Sequence, residues 1–192
     1  MNKLVKGAVA TAAGVALLMG GAGTFALWNT SASVSAGAVA SGTLTIATNG
    51  AGTWKDISAD RTATAIPTIS SWKIVPGDKL EFTQNINVVA TGNNLLANLS
   101  YDPATIVAAT GQASLDLKSK LVVTITATGT GVTTNATTGV ITVAPSAATI
   151  PVAVKVTVEL PSTVGDAVGE SSIAQNGSVS LATLSLKLNQ TR

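Results

Sequence analysis

The sequence predicts an all-β protein, a single antiparallel β-sandwich of about seven to nine strands with at most one short helix. Three observations carry that expectation. Val, Ile, Thr and Ala dominate, and Gly, Asn, Ser and Pro interrupt them at short intervals, as short strands joined by turns require. Two segments alternate with period two. In Pro151–Glu159, Val152, Val154, Val156 and Val158 share one face, with Ala153, Lys155 and Thr157 on the other; in Ser178–Asn189, Leu184, Leu186 and Leu188 share a face. Finally, 192 residues suffice for one domain with a real core.

The elements follow in order. Lys3 and Lys6 precede an apolar run from Gly7 to about Gly23, the layout of an export signal that is removed and takes no part in the fold. A permanent span takes about 20 strongly apolar residues. This run is short and rich in Ala and Gly, so no stable membrane span is expected after cleavage. The chain therefore divides into a signal over 1–27 (its end falling between 26 and 36), an N-terminal segment with a first strand over 28–48, and a sandwich over 49–192. Strands are expected at Ser41–Thr48, Lys79–Thr91, Leu95–Tyr101, Leu121–Ala127, Gly139–Val143, Pro151–Glu159 and Ser178–Asn189. Four valines in Pro151–Glu159 would lose side-chain freedom in a helix. Pro103–Lys120 is the stretch that admits a helix, over Ala104–Ala109. Thr128–Gly139 reads as a hairpin-type connection.

Composition removes most chemistry. The chain has no Cys, which excludes disulfides, thiol nucleophiles and Cys-ligated metals, and no His, the commonest general base and zinc ligand. Without Lys3 and Lys6, nine basic residues balance nine acidic ones, and no basic cluster remains for nucleic acid or an anionic membrane. The carboxylates are Asp56, Asp60, Asp78, Glu81, Asp102, Asp116, Glu159, Asp166 and Glu170, and they read as residues of turns and solvated strand faces. A secreted hydrolase would need two of them facing one another in a cleft at a defined separation, an arrangement the sequence leaves open, and Asp56–Asp60 lacks the pattern of a calcium loop. No Gly-x-Ser-x-Gly elbow or His-Glu-x-x-His motif exists. Catalytic, cofactor and metal residues are all expected to be absent. Trp72 and Phe82 read as core, and so few aromatics do not make a sugar-stacking platform. Leu160-Pro161-Ser162-Thr163-Val164-Gly165 approaches a sortase signal, but Val164 separates Thr163 from Gly165, so it reads as a Pro-initiated turn. Asn-x-Ser/Thr triplets such as Asn98-Leu99-Ser100 are expected from the composition alone.

Two motifs carry a family resemblance. Gly23-Thr24-Phe25-Ala26-Leu27-Trp28-Asn29 is followed by small polar residues and Ser41-Gly42-Thr43-Leu44; further on, Trp72-Lys73-Ile74-Val75-Pro76-Gly77-Asp78-Lys79-Leu80 enters a strand that ends at Thr91-Gly92-Asn93. Over about residues 20–101 this order resembles the TasA/camelysin family of exported biofilm matrix fibre proteins. The resemblance implies jelly-roll topology, a Pro76-Gly77-Asp78 family turn, and processing by a SipW-type signal peptidase around Ala26, Leu27 and Trp28. A conventional site at Val34-Ser35-Ala36 is the alternative. The metallopeptidase label of some members does not transfer to a chain without His.

The expected function is therefore structural: a secreted subunit of an extracellular matrix or surface fibre. Val34, Ala36, Ala38, Ala40, Leu44 and Ile46 share one parity in an uncharged stretch, as a strand donated to a neighbouring copy would. Ser41–Thr48 also suits pairing within its own domain, with Trp28–Ala40 the better exchange segment. Expected partners are further copies of the chain, the signal peptidase during export and an accessory matrix protein. The alternative is a monomeric secreted module that binds wall polysaccharide or a surface partner.

Overall fold

The computed structural model describes residues 2–21, 37–166 and 173–191. The chain divides into two compact units, Met1–Val39 and Ala40–Arg192. In the first, Lys3–Gly21 forms helix α1. Its Ala and Leu favour the helical state. Among the described residues, no helix is long and apolar enough to cross a membrane.

The second unit is an antiparallel β-sandwich. In chain order its strands are β1 (Thr43–Thr48), β2 (Thr53–Asp56), β3 (Thr64–Ile66), β4 (Lys79–Thr91), β5 (Ala97–Tyr101), β6 (Val107–Ala108), β7 (Val122–Gly129), β8 (Val132–Thr134), β9 (Ile141–Val143), β10 (Ile150–Glu159), β11 (Val179–Ser180) and β12 (Leu186–Gln190); helix α2 spans Gln112–Lys120. The larger sheet runs β3-β2-β4-β10-β7, and β1 also pairs with β4. The smaller sheet runs β12-β5-β9-β8, and β11 and β6 form a separate pair.

The thirteen residues of β4 organise the larger sheet. One edge pairs with β10, from Lys79↔Glu159 to Val88↔Ile150. The other carries two strands end to end: β2 opposite Leu80–Thr83 and β1 opposite Ile86–Thr91. Between them the chain bulges through Asn49–Gly52, held by the Asn49 N–H on the Asn85 carbonyl (2.8 Å) and the Gln84 side-chain amide on the Gly50 carbonyl (3.1 Å).

The core lies between the sheets. Val152, Val154, Val156 and Val158 are 1–2% exposed and pack with Ile86 and Val88 of β4 against Leu99, Ile141 and Val143 of the smaller sheet. Each such side chain stabilises the fold by about 1.5–3 kcal/mol. The face carrying Ala153, Lys155 and Thr157 is more exposed, as the alternation predicts.

The twelve strands among the described residues exceed the expected number, because β2, β3, β6, β8 and β11 are each four residues or fewer and too short to show a period. Ser178–Asn189 is split into β11 and β12 by a turn in which the Leu184 N–H donates to the Leu181 carbonyl (3.1 Å). The helix falls within Pro103–Lys120 but not at Ala104–Ala109. Asp102 caps a single 3-10 turn, Pro103–Thr105, by accepting from the Ala104 N–H at 3.1 Å, and Val107–Ala108 then extends as β6. Leu117 instead anchors α2 in a small second core with Leu160 and Val164.

Candidate functional site

The two motifs behind the resemblance occupy different ends of β4. At its start, the Pro76-Gly77-Asp78 turn is fixed by backbone bonds: the Asp78 N–H donates to the Val75 carbonyl (3.0 Å), the Gly77 N–H to Leu160 (2.7 Å), and the Leu160 N–H to Asp78 (3.0 Å). Gly77 sits at φ 98°, a conformation a side chain resists. The buried Asp78 carboxylate accepts from the Val75 N–H at 3.0 Å, the turn-building role expected of it. Beside it, Asp56 departs from the expectation of a solvated carboxylate. It is 1% exposed; its Oδ1 accepts from the Ser58 N–H (3.0 Å) and hydroxyl (2.5 Å), and Arg61 Nε stands 3.7 Å from its Oδ2. Ser58 Oγ in turn accepts from the Lys79 N–H (2.9 Å), clasping the end of β2 to β4. This corner is a structural clamp.

At the other end of β4, Ser41-Gly42-Thr43 meets Thr91-Gly92. The Thr43 N–H donates to Thr91 Oγ1 at 2.8 Å. Gly42 lies so close beneath β4 that a Cβ there would stand 2.0 Å from the Thr91 carbonyl oxygen. Glycine is the one residue that lets the chain cross at this point. Leu44 and Ile46 then turn inward, half-buried, and pack on the core. Within this structure they belong to their own subunit's sheet. Ala38 and Ala40 precede the crossing, exposed and outside any strand. Ala26, Leu27, Trp28, Val34 and Ala36 lie outside the described residues.

Among the described residues no strand pairs with the outer edge of β1 or of β7. Neither strand contains a charged residue or a proline. Between β1 and the β12 side of the sandwich opens a mostly apolar slot of about 290 Å³, lined by Ile46, Phe82, Ile86, Val156, Leu184 and Leu186 among others. Phe82 stacks on Trp54 with centroids 5.0 Å apart, so its ring serves both core and slot. Trp72 is only partly buried, and its indole nitrogen lies buried without a hydrogen-bond partner.

The remaining carboxylates are mostly engaged in pairs: Glu81 with Lys155 (3.1 Å), Glu159 with Lys79 (3.1 Å), Asp60 with Arg61 (3.3 Å) and Asp102 with Lys187 (2.6 Å). The hydrogen bond from Lys187 holds the Asp102 carboxyl below the usual carboxylate range, and that from Arg61 does the same for Asp60. Among the described residues no three acidic side chains gather as metal ligands. The sequence offered no sign of the slot, because Ile46 and Phe82 meet Leu184 only where the two sheets face each other, with more than a hundred residues between them along the chain.

No family model, curated protein or solved structure matches the chain.

Proposed function

We propose that the chain is an exported structural subunit of an extracellular matrix or surface fibre, assembled head-to-tail by donor-strand exchange. The observation that carries this reading is the uncharged edge of β1, unpaired among the described residues, beside an apolar slot. Monomeric β-proteins protect such edges with charge, proline or a covering element, because an open ladder of N–H and C=O groups is a template for another chain. The Val34, Ala36 and Ala38 parity of the segment before Gly42 suits a strand laid along β1 of the next copy, its small apolar side chains over the slot. Donor and acceptor occupy different surfaces, so the contact does not close and a filament grows. Jelly-roll topology, SipW-type processing near Trp28 and an accessory matrix protein as nucleator complete the reading through the TasA/camelysin resemblance.

Electron microscopy with light scattering on a chain starting at Trp28, beside one starting at Ser41, tests it. Filaments from the first and monomers from the second are expected. Monomers from both over a wide concentration range would overturn self-assembly and leave the secreted binding module in its place.

A further inference from the structure

We propose that Asn135 is an N-glycosylation site whose saccharide shields the β7 side of the sandwich. Five Asn-x-Ser/Thr triplets occur, at Asn29, Asn98, Asn135, Asn176 and Asn189. Asn29 lies outside the described residues. Asn98 and Asn189 face one another across β5 and β12, and Asn98 also faces Thr142 of β9, so both are held in sheet. Asn176 is followed by Gly177, where a Cβ would stand 2.3 Å from the Ala113 carbonyl oxygen, so its triplet is packed against α2. Asn135 differs from all of these. It opens the β8–β9 hairpin connection, in which residues 135–140 are all exposed.

The local geometry presents its amide. Asn135 Oδ1 accepts from the Thr137 N–H and the Thr138 N–H, both at 2.9 Å, while its Nδ2 has no partner among the described residues. The two donors orient the amide and draw electron density from it, which eases loss of an Nδ2 proton. Thr137 supplies the hydroxyl at the second position that the acceptor triplet requires. The co-reactant is a saccharide carried on a polyprenyl phosphate, with a membrane oligosaccharyltransferase. Asn135 Nδ2 attacks the anomeric carbon, the N–C bond forms, the C–O bond to phosphate breaks, and the lipid phosphate leaves with the electron pair. The Nδ2 proton passes to the transferase's base. Nothing is oxidised or reduced.

The position gives the modification a consequence. Thr134, the preceding residue, donates its hydroxyl to the Ala127 carbonyl of β7 at 3.4 Å. A bulky hydrated group on Asn135 therefore stands beside the uncharged margin of β7, whereas β4 and β10 separate it from β1. A glycan here blocks strand addition at one margin and leaves the other open. The inference rests on export, which the same experiment reads separately.

Protein recovered from its source cells is digested with trypsin. The peptide Leu121–Lys155 contains Asn135 as its one asparagine. It is expected to be heavier by a saccharide, and to return to its unmodified mass in N135Q and in T137V, which keeps the Thr137 N–H but loses the hydroxyl. T137S retains the added mass. An unmodified wild-type peptide overturns the proposal, as does a saccharide that persists in N135Q and so marks attachment through a Thr or Ser oxygen. N-terminal sequencing of the same sample separates the two readings. A processed chain with an unmodified peptide overturns the glycan alone; an unprocessed chain without the added mass overturns both.

Discussion

Along β1 and along β7 the larger sheet ends in runs of Thr and apolar residues with no charge, yet the two margins are finished differently. The β7 margin is partly closed from the facing sheet. The Tyr101 hydroxyl donates to the Val123 carbonyl at 3.3 Å, and the Thr134 hydroxyl donates to the Ala127 carbonyl at 3.4 Å. No such donor reaches the outer side of β1 among the described residues. The slot lies beside β1, where Ile46 is only half-buried. Similar strands thus acquire different capacities from the sheet opposite. A hydroxyl on a carbonyl occupies an acceptor that an incoming strand needs, while an uncovered edge over apolar residues offers both ladder and pocket.

The largest effect is expected from Gly42→Val. Its Cβ would overlap the Thr91 carbonyl, so the start of β1 must leave β4. Overpacking of this kind costs about 1–3 kcal/mol. Hydrogen exchange should show Thr43–Thr48 amides losing protection while those of β4 and β10 keep it, and the chain starting at Trp28 should no longer form filaments. Retained β1 protection would show that the close approach relaxes without cost.

A smaller effect is expected at the other margin. Tyr101→Phe and Thr134→Val each remove one hydroxyl from the β7 margin, at about 0.5–1.5 kcal/mol per bond. The informative readout is association. In a chain made without the Asn135 saccharide, the double variant should add disordered, branching aggregation to filament growth, because a second uncharged edge becomes available. Unchanged scattering would mean that β7 is protected by something other than these two hydroxyls.

How much of this was legible in the sequence depends on length and distance along the chain. Val152 to Val158 could be read directly because nine residues display a period and one sheet buries one face. Lys79–Thr91 could be read from its borders, with the Pro76-Gly77-Asp78 turn marking its start and Thr91-Gly92-Asn93 its end. Thr53–Asp56 and Thr64–Ile66 could not, since three or four residues carry no period and their pairing is set by β4. Asp56 is instructive: its burial depends on Ser58 and Arg61 folding back over it, which residue type alone does not reveal. Gly42 was a missed signal, because a glycine at a strand entrance often marks close backbone approach. That Ser41-Gly42-Thr43 meets Thr91-Gly92 followed only once β1 was seen to pair with the end of β4.

The gentlest perturbation of the contrast is acid. Asp102 anchors the approach to β12, with its carboxylate 2.6 Å from Lys187 Nζ and its N–H on the Ser185 carbonyl at 2.9 Å; Ser185 and Leu186 line the slot. The hydrogen bond from Lys187, then that from the Ala104 N–H, holds the Asp102 carboxyl below its ordinary value. A carboxylate with a depressed folded pKa contributes stability that is complete above its unfolded pKa, about 3.9, and is lost as pH falls through the folded value. Protection of the amides from Leu186 to Gln190 should therefore hold from neutral pH down to about 4 and then decline faster than that of β10. Lys187→Met should lower that protection at neutral pH and flatten its dependence on acid. Since the β7 margin is closed by the hydroxyls of Tyr101 and Thr134 rather than by a carboxylate, its exchange should follow the global core through the same range. A parallel decline of β12 and β7 would show that acid acts on the sandwich as a whole and not through the Asp102–Lys187 pair.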